Sequence, residues 1–386
     1  VLFLKVIKLG GSIFKEKDSF FKVPPLLEQD NLVIVVSAPY GVTDLLLNNQ
    51  INKKLLENIY QKLASQMGFE SEKLKERVYE ILNEKDYEKI ISHGERCNSL
   101  ALKLFLEKEG FNVEEKLPEE IELNLTKNSE KIELKRSIKS YFKEKKIYIV
   151  PGFYAIHNGK IKTLGRGGSD YTATALANIL DAENVTLYKD VSQLFTCDPK
   201  LVKNPFPITK ISYEIAELLS YFGAKIIQYK AIAPAKSKNI PIIIKGLDKS
   251  GSTIIGNETN VGVLSISFLK DLLFINGKLK KIPKNVKYID IFQNNANVII
   301  EKEKFESIKD NFSTITIKEN LSLILVGGDL DIGKKLLILN SLYFHKFNFW
   351  LLKDAKNFLI LLVENKNLKN ILNVIHNILF AREGVI

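Results

Sequence analysis

The chain has 386 residues, 45% of them apolar and 26% charged, with a formal net charge of +11. That length predicts two or three folded units of ordinary globular composition, and no apolar run is long enough to span a bilayer. The positive charge is lysine spread along the chain, with Arg77, Arg96, Arg136, Arg166 and Arg382 the only arginines; without a basic block interleaved with aromatics this reads against nucleic-acid binding, and leaves a lysine-rich surface that draws in anions.

Val1 to Lys8 reads as a buried strand rather than a signal peptide, because no small-residue cleavage site follows it. Leu32 to Ser37 reads as a second apolar strand ending in a polar loop through Asp44. A long helical stretch follows, from about Leu45 to Glu109, broken near Gly68 and Asn83. Ile147 to Val150 is a third buried strand, halted by Pro151-Gly152, and His157-Asn158-Gly159 signals a hairpin between Phe153–Ile156 and Lys160–Leu164. A helix begins after Ser169, a strand covers Asn184 to Lys189, helices cover Tyr213–Leu219 and Ala224–Ala233, and a strand covers Ile240 to Lys245. Short apolar runs alternating with helices predict an α/β fold: an open, mainly parallel sheet covered by helices on both faces. Cys97 and Cys197 are the only cysteines, with no metal spacing and no disulfide framework, so a reducing cytoplasm is the expected location.

The pattern changes near Gly256. The later unit reads strand 321–326, helix 332–344, strands 347–352 and 357–363, helix 368–379. The earlier one reads strands 271–276, 286–292 and 296–301, helix 303–312 and strand 313–318, and its first helix is missing because 277–285 is short and broken by Pro283. The expected division is a catalytic domain over 1–255 and a tandem α+β tail over 256–386, split into modules at about 263–318 and 319–386.

Chemistry-bearing residues fall at the ends of predicted parallel strands, the edge where open α/β sheets bind ligands. In Lys8-Leu9-Gly10-Gly11-Ser12 the glycines can offer backbone N–H groups to a phosphate and Lys8 can neutralise its charge, although such a segment alone also reads as a strand-ending turn. The GxxxxGK[ST] spacing of a Walker loop is absent. Ser37 and Thr43 supply hydroxyls, and Thr43 reads equally well as a helix cap. Glu95 can hold an ammonium group or stand as a solvated helical glutamate. The run Leu164 to Ala177, with Arg166-Gly167-Gly168-Ser169-Asp170, reads as a glycine turn feeding a helix. Gly167 and Gly168 permit close backbone approach, Ser169 and Asp170 are expected to cap the helix, and Arg166 presents a fork of donors to a carboxylate. Lys189, Asp190, Phe195 and Lys200 lie on a strand end and loop suited to a nucleotide, and Lys225 opens a segment that can reach the same phosphates.

With these segments in this order, joined by Gly94-Glu95-Arg96, Pro151-Gly152-Phe153, Asp198-Pro199 and Phe222-Gly223-Ala224-Lys225, the chain resembles the aspartate kinases (aspartokinases) of the amino-acid kinase superfamily over nearly its first 250 residues. The doubled tail resembles the two ACT modules that follow the kinase domain there. The resemblance implies ATP-dependent, Mg²⁺-assisted phosphorylation of the side-chain carboxylate of L-aspartate, the first step towards lysine, threonine, methionine and diaminopimelate. It implies Lys8 as the charge-stabilising catalytic lysine, with Asp170 orienting it or touching substrate. Gly10, Gly11 and Ser12 would cradle phosphates; Lys189, Asp190, Phe195, Lys200 and Lys225 would line the nucleotide pocket. Ser37, Thr43, Glu95, Arg166, Gly167, Gly168 and Ser169 would hold aspartate, and no protein metal ligand is expected. A homodimer through the tail is the default, with no nucleic-acid or membrane partner.

Many relatives carry threonine where Lys189 stands, arginine where Lys200 stands and a His-Pro pair near Gln228-Tyr229. The lost first helix of the tail predicts weak or absent feedback inhibition by lysine and threonine. The alternatives to an active aspartate kinase are another amino-acid kinase and a paralogue that binds nucleotide or amino acid without turnover.

Overall fold

A computed structural model of the chain describes residues 4–27, 31–128, 131–224, 227–247, 251–257 and 264–380. In chain order the elements are β1 Lys5–Leu9, β2 Leu32–Val36, α1 Val42–Asn48, α2 Lys53–Met67, α3 Glu72–Tyr79, α4 Tyr87–Lys108, β3 Val113–Glu115, β4 Ile147–Pro151, β5 Tyr154–His157, β6 Lys160–Thr163, α5 Gly168–Leu180 and β7 Val185–Lys189. They continue with β8 Leu194–Phe195, β9 Pro207–Ile208, β10 Lys210–Ser212, α6 Tyr213–Tyr221, α7 Ile232–Lys236, β11 Ile242–Gly246 and β12 Ser252–Gly256. The last are β13 Leu264–Leu279, β14 Tyr288–Phe292, β15 Asn295–Glu301, β16 Phe312–Gly328, α8 Ile332–Phe344, β17 Phe349–Ala355, β18 Phe358–Glu364 and α9 Leu368–Phe380.

The chain divides into two compact units. The first comprises Val1–Leu194, Thr209–Tyr213 and Ile226–Glu258; the second comprises Phe195–Ile208, Glu214–Lys225 and Thr259–Ile386. Two segments that precede residue 256 in sequence therefore fold with the tail.

An eight-stranded sheet in the order β10-β12-β11-β7-β1-β2-β4-β3 organises the first unit. Its neighbours are parallel except for β11 and β12. Valine and isoleucine dominate the central strands, as burial on both faces requires. Alternation along β1 assigns the faces. Ile7 and Leu9 join Ile34, Val36 and Ile149 in a core with residues of α1, α2, α3 and α4. Val6 and Lys8 therefore point to the opposite face, where α5 packs against β1, β2 and β7. The chain runs from β1 to β2 on one side and places β7 on the other. The crevice beyond β1 and β7 is thus the topological switch point, where such sheets bind ligands.

Helix signals account for the region after β2. Asn52, Ser71 and Asp86 cap α2, α3 and α4 through their side chains, and Gly68 at φ 76 closes α2. The structure departs from the sequence reading in three places in this unit. Short β3 pairs with β4, and β12 adds an antiparallel strand. Of the helix expected over 224–233, residues 225–226 lie outside the described residues; the described remainder is a tight turn at Tyr229–Ala231 leading into α7, where Pro234 removes a backbone donor.

The second unit holds a six-stranded antiparallel sheet, β14-β15-β13-β16-β18-β17. The strands expected at 313–318 and 321–326 are one strand, β16, kinked at Asn320 (φ 59). β13 is likewise kinked, at Asp271 (φ 58). Its first half, 264–269, pairs with 323–328, and its second half pairs with 312–321. The first module is thus inserted into the second, whose sheet draws one strand from residues 264–269. α8 and α9 pack with Leu264, Ile266, Ile324, Val326 and Leu361 in one core. In the other module Ile308 and Phe312 pack with Leu273, Ile275 and Val298. The helix expected over 303–312 is a pair of 3-10 turns, and residues 280–287 carry no helix.

Candidate functional site

Period-2 geometry builds the centre of the site. Lys8 on β1 and Lys189 on β7 face the same side of the sheet, because Lys8 pairs with Leu187 and parallel partners share a face. α5 crosses that face and lowers Asp170 between them. Lys8 Nζ lies 2.9 Å from Asp170 Oδ1, and Lys189 Nζ donates to Asp170 Oδ2 at 2.6 Å. Burial pushes the Asp170 carboxyl up, but Lys189 and Lys8 outweigh it and hold its pKa at about 2. Burial lowers the Lys189 ammonium, partly offset by Asp170, with the charge of Lys8 adding to the lowering. Two cations and one fixed anion therefore stand at the switch point, a net positive locus suited to phosphate.

Asp170 was expected as a cap together with Ser169. Neither caps α5: its N-cap is Gly167 at φ 77 without a side-chain bond. Asp170 is turned to the lysines. Ser169 is buried against Gly152, where a Cβ would lie 2.6 Å from Ser169 Cβ. Gly167 is required by conformation and by close approach, Gly168 by close approach. A Cβ on Gly167 would meet Gln228 Cβ at 2.7 Å, and one on Gly168 would meet Leu164 Cβ at 2.7 Å. Phe153, whose carbonyl accepts from Leu164 N–H at 2.7 Å, sits at φ 72, a strained conformation for an aromatic residue beside this turn. Arg166 stands exposed at the loop tip and makes no ion pair among the described residues.

The Gly10-Gly11 turn also differs in part. Gly10 N–H donates to Tyr188 O at 3.1 Å, prolonging the β1–β7 ladder, so it is engaged rather than free for phosphate. Gly11 opens a 3-10 turn, and a Cβ there would lie 2.5 Å from Ala38 O. Ser12 follows it in the same turn. The two strand-end loops, after β1 and after β2, thus touch through backbone.

Glu95 lies inside α4, buried, with Oε2 lacking any partner among the described residues. Burial raises its pKa to about 8, opposed by the Ala38 N–H and by the charge of Lys8. Buried carboxyl oxygens ordinarily meet a donor, so Oε2 is an open acceptor position. The helix reaches the loop because residue 94 is glycine. A Cβ there would lie 2.7 Å from Ala38 Cβ and 3.1 Å from Val42 Cγ1. An exposed helical glycine gains about 1 kcal/mol on replacement by alanine. Gly94→Ala is expected to lose about 1–2 kcal/mol instead, read as a lower urea midpoint, because overpacking here outweighs propensity. Asn98, one turn on, donates to Ser37 O at 2.7 Å and was missed in the sequence reading; its position three residues after Glu95 was the available signal. Arg96 is held from the other side by Glu119 and by Tyr154 Oη at 3.0 Å. Thr43 is not the cap of α1, a position taken by Gly41 at φ 79.

A pH prediction follows from Glu95. Folded, it keeps its proton up to about pH 8; unfolded, it releases it near its ordinary value of 4.5. Unfolding between these values releases a proton, so this group lowers stability as pH rises through that window. Glu95→Gln should therefore raise the urea midpoint relative to the parent at pH 8 and converge with it below about 4.5. A constant difference across this range would contradict the assignment.

Of the remaining expected residues, Ser37 is half-buried beyond β2 and Asp190 is exposed after β7. Phe195 and Lys200 belong to the second unit, where Phe195 O accepts from Ser265 Oγ at 3.3 Å and Lys200 N–H donates to Asp198 Oδ1 at 2.8 Å. Lys225 lies outside the described residues. No helix among the described residues is long and apolar enough to cross a membrane.

Comparison with known proteins agrees with this architecture. The profile described as "Amino acid kinase family" matches residues 4–246. The chain is 26% identical to the bifunctional aspartokinase/homoserine dehydrogenase of Buchnera aphidicola, over 99% of this chain and 57% of that protein. It is 28% identical to the aspartokinase of Rickettsia felis, over 81% of this chain and 76% of that one. The chain spans 57% and 39% of the length of two bifunctional relatives, from Buchnera and Haemophilus influenzae. Among solved structures, E. coli aspartokinase III in complex with aspartate and ADP aligns with a TM-score of 0.81 at 19% identity, covering 98% of this chain and 100% of that one. The aspartate kinase of Clostridium acetobutylicum aligns with a TM-score of 0.75 at 24% identity, covering 97% and 100%. At these identities the structural likeness establishes the fold: an amino-acid-kinase-like α/β sheet followed by an ACT-like tail.

Proposed function

This chain belongs to the amino acid kinase family, and on that premise we propose that it transfers the γ-phosphoryl group of ATP to the side-chain carboxylate of L-aspartate, giving 4-phospho-L-aspartate and ADP. The observation that carries the reading is the buried Lys8–Asp170–Lys189 cluster at the switch point, with the open Oε2 of Glu95 on a carboxyl that feels the charge of Lys8. The shared aspartokinase name of the relatives supports the choice of acceptor.

The aspartate side chain, with a reference pKa of about 3.9, is already an anionic nucleophile at neutral pH, so no general base is needed. Its oxygen forms the new bond to the γ-phosphorus while the bond to the ADP oxygen breaks. The obstacle is repulsion between two anions. Lys8 and Lys189 offset it at the transferring group, and Asp170 fixes where their ammonium groups stand. Glu95 takes the α-ammonium and Arg166 the α-carboxylate; Ser37, Thr43 and the Gly167-Gly168-Ser169 backbone complete the acceptor site. Gly10, Gly11, Ser12 and Asp190 border the phosphates. Phe195, Lys200 and Lys225 are proposed as nucleotide contacts on the sequence resemblance alone. Mg²⁺ would spread the charge of the ATP phosphates. Asp170 already serves two lysines, which fits an ion held by phosphates and water rather than by a carboxylate cage.

A catalytic domain over residues 1–255, an ACT-like tail over 256–386 that pairs two copies, a cytoplasmic setting and a role at the entry to lysine and related amino-acid synthesis belong to the same proposal. Nucleotide turnover tests it. ADP release should require L-aspartate and stay at background with L-glutamate. Release with glutamate alone would favour another amino-acid kinase, and saturable nucleotide binding without release would favour a non-catalytic paralogue.

A further inference from the structure

Glu88, in the first turn of α4, takes three donors from a single strand, β6. Its Oε2 accepts from the Thr163 backbone N–H at 2.8 Å and from Thr163 Oγ1 at 2.6 Å, and its Oε1 accepts from Lys162 Nζ. The hairpin register makes that N–H available. Leu164 N–H donates to Phe153 O at 2.7 Å. Thr163, one position earlier and opposite Tyr154, therefore turns its own N–H away from β5. β5 and β6 form a two-stranded sheet, so no further strand receives it. Burial raises the Glu88 carboxyl, but Lys162 and Thr163 outweigh it and hold its pKa below the ordinary value, so the group is anionic at neutral pH.

This contact joins the two segments that carry the acceptor-gripping residues. Seven residues make two helical turns less about 20°, so Glu88 and Glu95 lie on the same face of α4, about 10 Å apart along its axis. Thr163 stands three residues before Arg166. The turn between them is closed: Leu164 is tied to Phe153, and Gly168 N–H donates to Gly165 O at 2.9 Å. Arg166 thus occupies a tight turn whose exit is α5 and whose entry Glu88 pins to α4. The other strand of the hairpin meets α4 as well, through Arg96 and Tyr154 Oη. Glu88 holds the strand that runs into the Arg166 turn.

We propose that Glu88 is a positioning residue for the acceptor: through Thr163 it fixes the Arg166 turn against the helix that carries Glu95, and so sets the span over which the α-carboxylate and α-ammonium of aspartate are gripped. The inference rests on the acceptor site described under the proposed function. Glu88 acts through the backbone it holds and takes no part in phosphoryl transfer. The α-substituents are held alike in the ground state and the transition state, so loosening their grip raises KM and spares kcat.

The experiment measures steady-state ADP release by the full chain and by Glu88→Ala, with L-aspartate and ATP varied separately. KM for aspartate should rise by about tenfold or more, while kcat and KM for ATP stay within about twofold. Glu88→Gln keeps one oxygen for the Thr163 N–H, and its KM should fall between those of the parent and Glu88→Ala. Urea midpoints check that both variants fold. Hydrogen exchange read by mass spectrometry reports the turn itself: amides of residues 163–168 should exchange faster in both variants, and those of β1 and β7 at the parent rate. An unchanged KM for aspartate in either folded variant overturns the proposal. So does a loss confined to kcat, or exchange over 163–168 that matches the parent. A parent chain that turns over no aspartate removes the aspartate kinase reading instead, and the exchange rates still decide whether Glu88 holds the turn.

Discussion

Asp170→Asn is expected to lower folding stability by about 3–5 kcal/mol, the cost of removing one partner from a buried charge cluster. The carboxylate is 4% exposed and touches Lys8 and Lys189, which are 9% and 14% exposed. Asparagine retains the shape and removes the charge, leaving two ammonium groups facing each other out of water. The sign with pH is defined. The folded carboxyl has a pKa of about 2, below its ordinary 3.8, so its contribution is complete above the higher value and lost as pH falls through the lower one. Urea midpoints of parent and variant should differ at pH 7 and approach one another towards pH 2. A variant within 1 kcal/mol of the parent at neutral pH (about a fivefold change in the folding constant) would mean that the cluster is solvated and does not concentrate charge at the switch point.

Lys8→Ala should cut turnover by about 10²–10³-fold, the usual cost of removing one charge aimed at a developing anion. Its effect on stability should be smaller than that of Asp170→Asn, because Asp170 keeps Lys189 at 2.6 Å. The dissociation constant for aspartate, measured by calorimetry without nucleotide, should stay within a few fold, since Lys8 acts on the transferring group and not on the α-substituents of the acceptor. That split between rate and binding separates a catalytic role from a structural one. Near-normal turnover in the variant would remove Lys8 from the mechanism.

What the sequence disclosed follows from how local each determinant is. Lys8 stood out because the end of a short apolar strand before Gly10-Gly11 is a local property, and the Gly167-Gly168 turn because close approach, and left-handed backbone at Gly167, select glycine. The capping reading of Asp170 failed for the opposite reason, although the resemblance had already set it beside Lys8. The capping rule sees only the helix that carries the residue, whereas its partners come from β1 and β7 across the sheet. Gly10 was misjudged similarly, since its N–H is claimed by Tyr188 on a neighbouring strand. Asn98 lies in a helical run without local distinction, and only the approach of α4 to Ser37 gives it a task. In the tail, apolar runs marked the strands but not their pairing. Residues 264–269 join the later module through contacts with residues about sixty positions away, and no short-range pattern encodes that insertion.

Trapping of an acyl phosphate tests the account most directly. Incubated with ATP, Mg²⁺, L-aspartate and hydroxylamine, the chain should form aspartyl hydroxamate, in an amount that requires ATP and collapses in Lys8→Ala. If no hydroxamate forms while the folded chain binds both substrates, the cluster of Lys8, Asp170 and Lys189 is not a phosphoryl-transfer centre.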